Sequence, residues 1–422
     1  VKGLPLVAVA VLAAMVSTAV ALRLRSRAGA GAASRAGATA PMGSASASAP
    51  PVTSGLGAGP PPAVEGSRAA RTLHGDARHT HRAAGHVPLE LPPVAWTRDV
   101  GGPVESQVVT SPDEQTLYVA SLGGSLTAIA RADGAVKWTY ALGDRAYGTP
   151  SVADDGTIYA GSDAKKVVAL SPEGKARWTL DVDDEADTGS AIAPDGTLVL
   201  AAGHRVYGIS PQGWVVFRFA ARRKVFTAPA VDGQGRVFFG SQDHHAYGLA
   251  PRGGLLWSTD LGADVDGAPV LGDDGAVTFG TDGDEILHLE AESGRVLWRA
   301  KVGGFVRGTL ALARNGDILA GVYGPAPRAV RVRASDGILT GDFPVPGTGA
   351  REFGVHGGAL EDDAGTLVFG AQDDTVVAID ASGRLRWRFT TGGDVDAPVT
   401  LLTGGGLVVG SDDGKVVLLA AM

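Results

Sequence analysis

The chain has no cysteine in 422 residues. That excludes disulfides, thiol catalysis, zinc–thiolate sites and a lipid carried on an N-terminal cysteine. Hydrolase signatures of the Gly-x-Ser-x-Gly and His-Glu-x-x-His types are also missing. Basic charge is in short supply. The net charge is −8, and beyond residue 71 it reaches −14, because the first 71 residues carry +6. An acidic body of this kind is a poor ligand for nucleic acid, whose phosphates demand a basic surface. Aromatic residues make up only 6% of the chain. Their placement is nevertheless regular, and it decides the fold.

A tryptophan-type position recurs at Trp96, Trp138, Trp178, Phe217, Trp257, Trp298, Gly341 and Trp387, at intervals of 39 to 46 residues. A period near forty in a strand-rich sequence is the mark of a propeller with four strands per blade. Residues 149–178 show one blade: a short strand after Pro150, a turn at Asp155-Gly156, and strands near 157–161, 167–170 and 175–180. Strands this short, separated by turn residues, leave no room for an ordinary helix. The large ring at the repeated position is expected to pack between neighbouring blades. That assigns Trp96, Trp138, Trp178, Phe217, Trp257, Trp298 and Trp387 a structural role.

The last repeat stops at Met422 without a fourth strand, whereas Val94–Asp99 has no earlier strands of its own. The economical expectation is an all-β, eight-bladed propeller of four-stranded antiparallel blades, closed by this N-terminal strand completing the last blade.

The repeat Gly-x-x-x-Trp, Ala/Ser-Pro-x-Val, Gly-x-Val-Tyr-x-Gly-Ser, Val-x-Ala-Leu resembles the pyrroloquinoline-quinone-type propeller repeat. The lead-in at 75–96 resembles the usual approach to such propellers. The family includes quinoprotein dehydrogenases and non-enzymatic envelope proteins, among them the propeller lipoproteins of the outer-membrane β-barrel assembly machinery, which are similar in size. The resembling dehydrogenases build their cofactor pocket from long insertions, a vicinal disulfide and a calcium site. Residues 94–422 carry no such insertions and no cysteine. The resemblance therefore implies a non-enzymatic envelope module that docks protein partners, with no cofactor and no resident metal. The alternative is a small-ligand sensor or a quinone-binding, dehydrogenase-like protein.

Three regions are expected. Residues 1–27 hold an uncharged run, Leu4–Leu22, that reads as a signal peptide or membrane-anchoring helix. Residues 28–71 are rich in Ala, Gly, Ser and Pro and read as a disordered, flexible linker. Residues 72–422 form the propeller, with a lead-in over 72–93. The expected location is periplasmic or at the cell surface, anchored to the membrane by the N-terminal segment.

Metal motifs are weak. Asp181, Asp183, Glu185 and Asp187 alternate, but Ala186 and Ile192 stand where a calcium loop needs glycine and glutamate. His74, His79, His81 and His86 fit no structural zinc spacing. The loops that lead into the innermost strands offer a docking site instead: Glu105, Arg145, Tyr147, Lys224, Asp266, Arg307, Arg351, Phe353, His356 and Asp396. Blades six and seven break the repeat most, through Gly341 and the long link 343–358, which directs attention to Arg307, Arg351, Phe353 and His356.

Overall fold

The computed structural model describes residues 70–83, 85–345 and 354–421. Leu4–Leu22, the linker up to residue 69, Arg351 and Phe353 lie outside the described residues. Among the described residues no helix is long and apolar enough to cross a membrane.

Eight four-stranded antiparallel sheets stand as blades. The first comprises Val109–Thr110, Thr116–Ser121, Ser125–Ala130 and Val136–Ala141, from the centre outward. The eighth comprises Thr400–Leu401, Leu407–Ser411 and Lys415–Leu419, with Val94–Asp99 as its outermost strand. Trp96 of that strand faces Leu418, and Asp99 faces Lys415.

Two sequence features explain how the blades stack. The first is the repeated ring. One residue bulges from each outermost strand just before it, as Lys137 does before Trp138, and a bulge re-aims the side chain that follows. Each indole N–H then donates to a turn carbonyl beyond its own blade. Trp96 reaches Arg131 at 2.9 Å, Trp138 reaches Pro172 at 2.8 Å, and Trp178 reaches Pro211 at 2.8 Å. Trp257 reaches Ala291 at 2.9 Å, Trp298 reaches Ala334 at 2.6 Å, and Trp387 reaches Pro88 at 2.8 Å. In all but Trp387, whose acceptor belongs to the lead-in, the ring lies flat on the glycine of that turn. A Cβ on Gly174 would stand 2.6 Å from Trp138, and φ there is +76°, so only glycine suits the position. Trp214, which is out of register, is instead 74% exposed.

The second feature is a buried apolar residue just before each innermost strand: Val104, Ala146, Ala186, Val225, Val265, Val306, Val355 and Val395. It wedges against the preceding blade. A Cβ on Gly240 would meet Val265 at 2.2 Å, which accounts for the glycine near the end of the second strand in most blades.

Candidate functional site

The two ends of the central channel are built differently. At one end the lead-in threads across the ring and bonds to every blade. The carbonyls of Ala70, Arg71, Ala77, Arg78, Thr80 and Gly85 accept from the amides of Thr110, Val152, Val231, Leu271, Leu312 and Asp363, at 2.7–3.1 Å. These serve blades one, two, four, five, six and seven. Thr72 Oγ1 donates to the Ser190 carbonyl of blade three at 2.6 Å. His81 Nε2 donates to the Val399 carbonyl beside blade eight at 3.0 Å. The segment is a plug that satisfies central backbone groups which would otherwise be left unpaired.

Three histidines form its core. His74, His79 and His81 are buried, and each adopts a left-handed backbone with φ between 53° and 60°. His74 and His81 stack with ring centroids 4.0 Å apart. His74 Nδ1 donates to the Leu310 carbonyl at 2.9 Å, and its Nε2 is 2.7 Å from the Thr309 hydroxyl. His79 Nδ1 donates to the Pro269 carbonyl at 2.9 Å. Burial pushes His74 and His79 down to about 4 and lowers His81 well below the usual imidazole range. The rings are therefore neutral packing elements at physiological pH. His86, the fourth of the sequence cluster, is exposed.

The other end is an open bowl floored by Leu73. One residue per blade lines it: Glu105, Tyr147, Asp187, Phe226, Asp266, Arg307, His356 and Asp396. All eight are half-buried. Each directly follows the buried apolar wedge, so the wedge fixes the direction in which its neighbour points. The sequence reading found six of these eight. Phe226 carries no charge to single it out, and Asp187 belongs to the acidic run 181–187. The repeat register marks both, since each stands immediately after the wedge position.

Two other expected site residues lie on the rim. Arg145 pairs with Asp163 at 3.0 Å, and Lys224 with Glu185 at 3.3 Å. Asp163, Glu185 and Asp187 bring carboxylate oxygens within 4.8 Å of one another. The Arg145 and Lys224 cations offset two of these three charges, those of Asp163 and Glu185. Asp183 belongs to another contact, with Tyr207 and Arg205.

Inside the bowl, Arg307 grips Asp282 through two nitrogens at 2.7–3.1 Å and lies over Phe305 at 4.8 Å. The pair holds Arg307 against the wall. His356 Nδ1 is 2.5 Å from the Tyr323 hydroxyl. Asp266 accepts from Gln242 at 3.2 Å through Oδ2. The Oδ1 atoms of Asp266, Asp396 and nearby Asp412 are buried without a hydrogen-bond partner among the described residues. Burial, reinforced by Asp282 and Asp264, pushes Asp266 up to about 6 against the pull of Gln242 and Arg307. Burial and the neighbouring carboxylates push Asp394 to about 7 and Asp412 to about 8. Burial also raises Asp396, opposed by His356. The bowl thus concentrates carboxylates, and among the described residues Asp266 and Asp396 each have an oxygen without a partner.

The quinone implied by the repeat can be tested against this geometry. The bowl holds about 130 Å³, whereas pockets that bury a drug-sized ligand measure roughly 300–1,000 Å³. The plug fills the space beneath it. An anionic quinone would also face a wall of carboxylates, so the residues present do not fit that group.

No curated protein matches the sequence. Among solved structures, BamB from Moraxella catarrhalis is 19% identical, covering 77% of this chain and 96% of that one, with a TM-score of 0.63. A europium-containing methanol dehydrogenase is 10% identical over 81% of this chain and 89% of that one, with a TM-score of 0.68. The computationally designed protein Ika8 is 14% identical over 78% and 99%, with a TM-score of 0.64. At these identities the likeness shows a shared propeller fold. A sequence match to the family described as outer membrane protein assembly factor BamB extends over residues 93–171, 163–252 and 242–341. The chain belongs to this family of PQQ-type propellers.

Proposed function

We propose that this protein is a non-catalytic docking module of the cell envelope, and that its bowl receives a basic segment of a partner protein. The observation that carries the reading is the asymmetry of the channel. The chain's own lead-in occupies one end, and the other concentrates carboxylates, with an oxygen each of Asp266, Asp396 and nearby Asp412 buried and without a hydrogen-bond partner among the described residues. A lysine or arginine side chain supplies the donors and the positive charge that these oxygens lack. Tyr147 and Phe226 add apolar area on the same ring, as binding hot spots require. Family membership supports a scaffold role, because the family's description is that of an outer-membrane assembly factor. Export, and attachment to the membrane through Leu4–Leu22, belong to the same proposal. They place the propeller where a linker over 28–69 lets it reach partners across a gap, residues 70 and 71 being bonded to blades one and two.

The test is a crosslinking pull-down from envelope fractions. The native chain is compared with a variant carrying Tyr147→Ala, Asp266→Asn and Asp396→Asn. Loss of the captured partner with a retained melting temperature is expected. Full recovery of the partner by the folded variant would place the interface elsewhere.

A further inference from the structure

We propose that the gap between the sixth and seventh blades is a binding site for an indole-type ring, a planar heteroaromatic with one N–H donor. The argument comes from the molecule's own repeats. Six tryptophans fill equivalent inter-blade sockets, each with its N–H on a turn carbonyl. Phe217 fills a seventh, lying on Gly253. In the sixth blade the register position is Gly341, which faces Arg331 as Trp138 faces Ala128.

The receiving half of this socket is intact. The Gly383 amide donates to the Asp380 carbonyl at 2.8 Å, the same turn that Gly174 and Ser171 make beneath Trp138. Gly383 keeps φ at +81°. The Ala381 carbonyl stands where the Pro172 carbonyl accepts the Trp138 N–H. Phe343 lies over part of the gap, close to where a Cβ on Gly341 or Gly383 would stand.

Even so, a cavity of about 490 Å³ remains, lined by Gly341, Phe343, Phe369, Ile379, Leu385 and Arg388 among others. That volume lies within the range of small-ligand pockets. The walls offer aromatic and aliphatic faces, and Arg388 brings a guanidinium suited to a ring face. Its Nε is buried without a hydrogen-bond partner among the described residues.

The full chain would be titrated with 5-fluoroindole, followed by fluorine NMR, and with N-acetyltryptophanamide in competition. Saturable binding of either probe supports the site. Binding of indole alone points to a free small molecule, and binding of the amide alone to a tryptophan side chain of a peptide. 1-Methylindole, which has no N–H, should bind roughly 5-fold more weakly, the loss of about one net hydrogen bond. Gly341→Trp combined with Phe343→Thr should abolish binding and raise the melting temperature by a few degrees. Crystals of the native chain soaked with 5-bromoindole give a check that needs no variant, since bromine is expected between blades six and seven. Absence of binding at millimolar probe, binding undiminished in the filled variant, or bromine located elsewhere would each overturn the proposal.

Discussion

The two ends of the channel share the same innermost strands and solve the same problem in opposite ways. At the plugged end, backbone groups of all eight blades meet the lead-in, and the buried titratable side chains of the lead-in are imidazoles held neutral, while its arginines pair with Asp154 and Asp273. At the open end four of the eight lining residues are carboxylates, and two of them, Asp266 and Asp396, have a buried oxygen without a hydrogen-bond partner among the described residues. A propeller channel is lined by short strands whose central faces need polar company. Where the chain supplies that company, the end is structural. Where it does not, the surface is the one we propose for docking. Charge separates the two cases more clearly than shape does.

Removing the plug breaks the comparison most severely. Deleting residues 1–93 takes away bonds to every blade, each worth about 1 kcal/mol net, together with the buried Leu73 and three buried histidines. The melting temperature should fall by roughly 10 °C or more relative to a chain lacking only residues 1–69. Extending the deletion to residue 99 also removes the outermost strand of the eighth blade and should cost more again. Equal melting by calorimetry for all three chains would mean that the plug is ornamental.

The acid side of the stability profile tests the histidines. His74 and His79 have folded values near 4, below the free imidazole value of 6.5. The unfolded chain therefore binds more protons between these limits. Their stabilising contribution is complete above pH 6.5 and is lost as pH falls towards 4. Melting temperature should drop between pH 6.5 and 4, and a chain lacking 1–93 should show a shallower drop. An identical slope in both chains would show that the rings do not govern it.

The carboxylates act in the other direction. Asp394 and Asp412 have folded values raised to about 7 and 8. The folded chain then holds more protons, so stability from this cluster is greatest in acid and declines as pH rises through 8. Asp412→Asn should raise the melting temperature at pH 8.5 by a few degrees and change little at pH 5. An increase of equal size at both pH values would separate the effect from ionisation.

Much of this was legible in the sequence. The period of about forty residues predicts the blades, and the register tryptophans occupy the inter-blade position that their size suggested. Six of the eight bowl residues follow from the loops leading into the innermost strands. Phe226 and Asp187 are legible only from the repeat register, since one is uncharged and the other lies within an acidic run. The plug escaped for a different reason. Residues 70–93 show neither strand alternation nor helical period, and their bonds run to partners up to 318 positions away. No local pattern carries such information. Arg351 and Phe353 lie outside the described residues, and the proposed interface rests on the bowl without them.

The indole clasps give assembly a direction. Five of the six tryptophans find their acceptor 33 to 36 residues further along the chain. During synthesis, at roughly 5–20 residues per second, blades one, two, four and five can latch within seconds of completion, as soon as the next turn emerges, whereas Trp96 belongs to the eighth blade, which is completed last. The sixth, Trp387, must reach back 299 residues to Pro88. That contact brings the lead-in against the seventh blade, and it requires a segment made early to be held available until nearly the whole chain exists. Folding is thus a run of quick local steps followed by one slow, long-range step. The interval before that step is when the unfinished ring is most exposed to mispairing with another chain.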